Sequence, residues 1–244
     1  MFRIFILLVA FASFLGAESV TIPTMNFALS SPDTPQQLVS SLNVLVVLTL
    51  LFLAPSMVLV MTTFTRFVIV FGFLRQAMGT QQVPPTQLLV MLAMILTFFV
   101  MEPIGTKAYN NGIKPYIAEE IGYEEAFTKT VLPFKGFMIR NTREKDLALF
   151  FRIRKMQNPQ TIAEVPLSIV IPAFVISEIK TAFEIGFLLF LPFLVIDMVV
   201  ASILMSMGMM MLPPVMISLP FKILIFVLID GWNLLIGNLI ASIK

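Results

Sequence analysis

The chain has 244 residues, 58% of them hydrophobic and only 12% charged, with a mean hydropathy of +0.96, against roughly 45–50% apolar and 25% charged in soluble domains. That composition is a membrane protein's, and the absence of cysteine and histidine excludes disulfides, thiol nucleophiles, imidazole bases and Cys/His metal or haem sites. The 16 basic and 14 acidic residues are too evenly balanced for a nucleic-acid-binding surface, and no glycine-rich phosphate loop is present to hold a nucleotide.

The first segment, residues 1–17, carries Arg3 and then an apolar run to Leu15 broken only by Ser13. That run is too short to span a bilayer, which takes about 20 residues, and fits the hydrophobic region of a secretory signal. Gly16 and Ala17 offer a cleavage point, although Leu15 fits the minus-three position poorly, so an uncleaved anchor is the competing reading. Residues 18–37 contain Pro23, Pro32 and Pro35 among serines and threonines, which predicts an extended polar segment outside the cytoplasm.

Residues 38–101 form the first hydrophobic hairpin. No charge occurs between Thr34 and Thr65, and positions 42–61 cover about 30 Å as a helix. Arg66 and Arg75 bracket a semi-apolar stretch ending at Gly79, and Pro84-Pro85 prevents one helix from passing through. A second uncharged run, 86–101, is predicted to stop at Glu102-Pro103, because proline biases its predecessor away from helix.

Residues 102–164 hold most of the charges in the chain and are predicted to be a water-exposed helical domain. Its helices are expected at 119–131 and 142–155, the second opened by an Asn141 cap with Glu144 three positions on. Leu147, Phe150 and Phe151 share one face of that helix. About 60 residues rarely build a self-sufficient core, so this face is expected to pack on the apolar helices or on another subunit.

Residues 165–244 form the second hydrophobic hairpin. The stretch 172–211 would run about 60 Å as a helix, twice a bilayer, and contains Pro192, so it is expected to kink or to divide. A final apolar run occupies 223–240. Basic residues flanking the short loops put Arg66, Arg75 and Lys222 inside, with the charged domain and Lys244 outside.

Seven of the 17 methionines fall between Met198 and Met216. Methionine is unbranched and polarisable and repacks around changing shapes. In one subunit it is core filler; but Met209, Met210 and Met211 precede Pro213-Pro214, where a helix must end, so they are expected to crown a turn. A ring of such turns would make a deformable apolar plug that blocks water and ions by dewetting. Asp197 lies deep in apolar sequence, where a carboxylate is costly unless paired, protonated or hydrated. Lys222 is nearly equidistant from the Met turn on the opposite limb, which makes a buried Asp197–Lys222 pair, within or between subunits, the leading expectation. A proton or cation site at Asp197 competes with it, as in a small cation channel or proton-coupled carrier. Asp197 and Asp230 as a protease dyad gain no support, since Asp230 lacks a glycine-framed aspartate loop.

Several stretches resemble the FliP/SctR family of type III secretion export-gate proteins. They are Ala54-Pro55 with Thr62-Thr63-Phe64-Thr65-Arg66, Gly79-Thr80-Gln81-Gln82 leading to Pro84-Pro85, Thr142-Arg143-Glu144-Lys145-Asp146-Leu147, Ile171-Pro172-Ala173-Phe174 through Glu178 to Phe183, and Met209-Met210-Met211-Leu212-Pro213-Pro214 through Lys222. The resemblance covers nearly the whole length. It implies an all-α, membrane-associated protein of helical hairpins with kinked long helices, assembling with further FliP copies, FliQ and FliR into a helical, conical export gate. That gate sits in the flagellar basal body at the inner membrane, with its charged domain periplasmic and much of it above the lipid plane. FlhA and FlhB are implied neighbours, and unfolded flagellar export substrates are the implied cargo. The resemblance further implies a gasket at Met209, Met210 and Met211, subunit contacts through Phe137, Arg143, Phe150 and Glu178, no cofactor and no enzymatic activity.

Overall fold

A computed structural model describes residues 35–80, 83–156, 161, 164–209 and 212–244. The expected signal at 1–17 and nearly all of the polar segment at 18–37 lie outside the described residues. Among the described residues there are helices and no strands. The chain divides into two compact units, Met1–Thr49 and Leu50–Lys244. Helix α1 (Pro35–Val60) begins earlier than position 42, because the residues from Pro35 onward are helix-permissive and proline suits a helical first turn. Leu42, Leu45 and Val47, in its first-unit part, are exposed.

In the second unit, α2 (Phe64–Met78) is the buried centre. Phe67, Val70, Phe71, Leu74 and Ala77 recur at three- and four-residue spacing and are essentially closed to solvent. They form a cluster with Ala93, Ala182, Phe193 and Phe226.

Helix α3 (Thr86–Ala108) runs straight through Glu102-Pro103, which corrects the expected stop at position 101. Proline removes one backbone donor and restricts its predecessor, but burial of Met101 and packing of Ile104 in a second cluster outweigh that local bias. A π-helical segment (Tyr109–Ile113) carries α3 into Lys114–Ile117, giving a 32-residue helix overall.

Helix α4 (Tyr123–Asn141) starts later and ends later than the predicted 119–131. Glu119 is left-handed at φ 57° and turns the chain, while Phe137 and Met138 beyond Pro133 are core residues that hold the helix together past the proline. Helix α5 (Glu144–Ile153) has Arg143, without a side-chain cap, at its N-terminus. The expected Asn141 cap is absent because its side-chain oxygen already accepts from the Lys244 backbone N–H at 3.0 Å, while its nitrogen donates to the backbone oxygens of Phe137 and Lys244, each at 3.0 Å. The helix stops before Lys155, which is left-handed at φ 53°.

Helix α6 (Leu167–Ser206) is continuous for 40 residues with Pro172 and Pro192 inside it. It does not divide into a hairpin: α2, α4, α5 and α7 pack along it, and each proline removes only one backbone hydrogen bond. The last apolar run is instead broken in two, into α7 (Pro214–Leu228) and α8 (Gly231–Ala241), bent by 65°. The break falls at Asp230, which is left-handed at φ 51°. The Thr86–Ile117 and Leu167–Ser206 helices are each long and apolar enough to cross a membrane, and the bent α7–α8 pair would make a third span. Both long helices keep most of their apolar surface uncovered within the chain.

Candidate functional site

Two buried charge clusters hold α2, one near each of its ends. At the start, Arg66 sits on the same helical face as Phe67 and Val70 and is therefore carried into the core. Its guanidinium donates to the Glu178 carboxylate of α6 in a fork, Nε to Oε2 at 2.8 Å and Nη2 to Oε1. The third nitrogen, Nη1, donates to the backbone oxygen of Ser242 at 3.0 Å and to its hydroxyl at 2.9 Å. The Arg66 and Glu178 side chains are 3% and 1% exposed. A fork of this kind matches the planar guanidinium to the carboxylate and supplies the hydrogen bonds that a desolvated pair requires.

At the other end of α2, Lys222 of α7 is 2% exposed. Its ammonium donates to Asp197 Oδ2 of α6 at 2.6 Å and to the backbone oxygen of Ala77 at 3.0 Å. Ser218, one turn earlier on the same face of α7, donates to Asp197 Oδ1 at 2.5 Å. The two limbs flanking the Met turn thus bring Asp197 and Lys222 together within one chain. Each carboxylate oxygen accepts one hydrogen bond within the chain, and the Asp197 side chain is 28% exposed.

Between the clusters α2 and α6 run side by side in the same direction. Phe73 packs edge-on against Phe183 with ring centroids 5.1 Å apart. Gly186 permits the close approach, since a Cβ there would overlap the Phe73 ring. Arg66 and Arg75 therefore lie near opposite ends of a helix, about 14 Å apart along its axis. Arg66 is held by the internal pair with Glu178 near Ser242.

The Met turn begins where α6 ends at Ser206. Gly208 is left-handed at φ 75°, and the Met209 N–H donates back to the Leu204 carbonyl at 3.0 Å; glycine takes that conformation without a Cβ penalty. Met198, Met205, Met207, Met209 and Met216 are all exposed, Met216 at 70%. Met210 and Met211 lie outside the described residues. The Asp197–Lys222 pair lies about 14 Å back from the turn along α6.

Two of the expected subunit-contact residues face inward. Phe137 is 1% exposed and packs edge-on against Phe174 at 5.9 Å, and Glu178 is held by Arg66. Within this chain each sits on the face of its helix that closes the core. Arg143 is partly exposed; it pairs with Asp146 at 2.6 Å and approaches Glu184 at 3.7 Å, while its backbone N–H donates to Ser177 Oγ at 2.8 Å. Phe150 is half-buried against the second core cluster. Sequence reasoning missed Arg66, Ser218 and Ser242 as partners. Arg66 carried the available signal, being a lone charge inside an otherwise apolar stretch, whereas Glu178 shares its stretch with Lys180 and Glu184.

The family model described as FliP family matches residues 47–239 of the chain. Flagellar biosynthetic protein FliP of Bacillus subtilis (strain 168) is 51% identical over 212 residues, covering 87% of this chain and 96% of that protein. Its counterpart from Caulobacter vibrioides is 55% identical over 197 residues, 81% of this chain and 74% of that protein. The Aquifex aeolicus protein of the same name is 49% identical over 207 residues, 84% and 87% of the two chains. The match takes in α2, α6, both charge clusters up to Lys222 and the Met turn, and by it the chain belongs to the FliP family.

Proposed function

We propose that the chain is a pore-forming subunit of the flagellar type III protein export gate, passing unfolded flagellar proteins across the inner membrane, with its Met turn acting as a deformable gasket. The observation that carries the reading is the collar of exposed methionines around the α6–α7 turn, in a chain of the FliP family. Such side chains gain nothing by facing water; neighbouring copies could bury them against one another around a shared conduit. Thioether side chains then part for a polypeptide and close again behind it, because methionine has no single preferred rotamer. In this reading further FliP copies, FliQ and FliR complete the wall, FlhA and FlhB adjoin it, and the charged segment at 102–164 lies on the periplasmic side.

The paired charges support transport of polypeptide over transport of ions. Lys222 and Ser218 occupy both oxygens of Asp197, which makes this carboxylate part of the frame that holds the turn. The test replaces Met209, Met210 and Met211 together by alanine in cells and in the purified complex. Complex yield should hold while membrane ion leak rises; unchanged conductance in an intact complex would remove the gasket. An Asp197→Asn chain that assembles at normal yield yet loses an ion dependence of export would favour the carrier reading instead.

A further inference from the structure

An open cleft of about 840 Å³ runs between α3, α4 and the C-terminal end of the chain, and its lining changes character along its length. One half is apolar, walled by Phe98, Phe99, Ile240 and Ile243; the other half presents Lys107 and Arg140. Phe98 and Phe99 are 72% and 68% exposed on a helix long and apolar enough to cross a membrane. Lys107 stands one to two turns beyond the last residue of the uncharged 86–101 run, and the helix rises about 32 Å from Thr86 to Lys107, close to the thickness of a bilayer's apolar core. The Arg140 guanidinium folds back over Gly136, where even a Cβ would meet Nη1 at 3.5 Å. Lys107 and Arg140 have no ion-pair partner among the described residues. Glu102 and Lys244 also line the cleft, so three cationic side chains stand against the Glu102 carboxylate and the terminal carboxylate of Lys244.

We infer that this cleft binds one anionic phospholipid, its phosphate between Lys107 and Arg140 and an acyl chain along Phe98 and Phe99. A cationic end joined to an apolar trough matches an amphiphile of opposite charge, and neither half explains the other for a water-soluble anion. Arginine supplies a planar fork for two phosphate oxygens and lysine a point charge on a flexible stem. A zwitterionic headgroup brings its own cation to the same place and loses the advantage.

The full-length chain, purified in detergent, is titrated with phosphatidylglycerol, with phosphatidylcholine of the same acyl chains, and with glycerol phosphate, and bound lipid is counted by native mass spectrometry. Phosphatidylglycerol should be retained in preference to phosphatidylcholine, and glycerol phosphate alone should not displace it. Two surface cations each contribute about fivefold, so Lys107→Gln with Arg140→Gln should weaken retention roughly thirtyfold. The exposed pair Arg152→Gln with Arg154→Gln removes the same charge elsewhere and should change it less than about threefold. The charge-conserving Lys107→Arg with Arg140→Lys should stay within about threefold of the parent, and helix content by circular dichroism identifies any variant that has not folded. Equal retention by the Lys107/Arg140 variant, an equal loss in the Arg152/Arg154 control, equal binding of phosphatidylcholine, or displacement by glycerol phosphate would each overturn the site. So would disulfide cross-linking between copies at Arg140→Cys without any phosphatidylglycerol effect, which would make a second copy the occupant.

Discussion

Glu178→Gln should destabilise the chain by about 4 kcal/mol through its own core, without touching any neighbour. The substitution keeps the shape of the side chain and one acceptor for Arg66, but removes the charge that balances a guanidinium only 3% exposed. Breaking a buried pair by taking one partner away costs about 3–5 kcal/mol, since the surviving charge stays desolvated. The two hydrogen bonds from Arg66 to Ser242 soften this but carry no counter-charge. For a unit of this size each kcal/mol shifts the melting temperature by about 2–4 °C, so melting should fall by about 8–16 °C. The companion is Arg66→Met with Glu178→Leu, which removes both charges at similar volume and should recover most of the loss. The assay is thermal unfolding of the purified full-length chain in one detergent, followed by circular dichroism, for Glu178→Gln and for the cycle of parent, Arg66→Met, Glu178→Leu and the double variant. A Glu178→Gln chain that melts within about 2 °C of the parent, or a double variant whose loss equals the sum of the singles, would refute the reasoning.

The second charge cluster should behave in the same way but less severely, because Asp197 is 28% exposed and retains Ser218. Lys222→Met should cost about 2–3 kcal/mol in the same melting assay, and Asp197→Leu added to it should restore part of that. Gly186→Leu should cost about 1–3 kcal/mol by driving α6 away from Phe73, and Phe73→Ala in the same chain should relieve it; if Gly186→Leu melts like the parent, the close approach of α2 and α6 is not as described.

Element types were more legible than element ends. The uncharged runs announced α1, α3 and the last helices, because long apolar segments leave a chain few alternatives to helix. Proline misled at Pro103 and Pro192, which like Pro133 and Pro172 lie inside helices, where a single missing donor is outweighed by buried neighbours on the next turn. Three further breaks fall at left-handed Glu119, Lys155 and Asp230, which, unlike Gly79 and Gly208, give no strong local signal for that conformation. The Asp197–Lys222 pairing could be read from the near-equal distances to the Met turn, since adjacent limbs return at matching heights. Arg66 and Glu178 are 112 positions apart, and no periodicity links them; only the packing of α2 along α6 brings them together. Phe137 lies beyond the predicted helix end at 131, and its packing on Phe174 follows from the helix continuing past Pro133.

Arg66 and Ala77 give α2 a grip on three other segments at two separate heights: α6 and the C-terminal end at one, α6 and α7 at the other. A rod clamped twice can neither slide nor swivel without dragging charge out of its seat. When something broad pushes on the tip of α6, the bundle below therefore behaves as a stiff post, and compliance is left to the loose thioether side chains at the end of it.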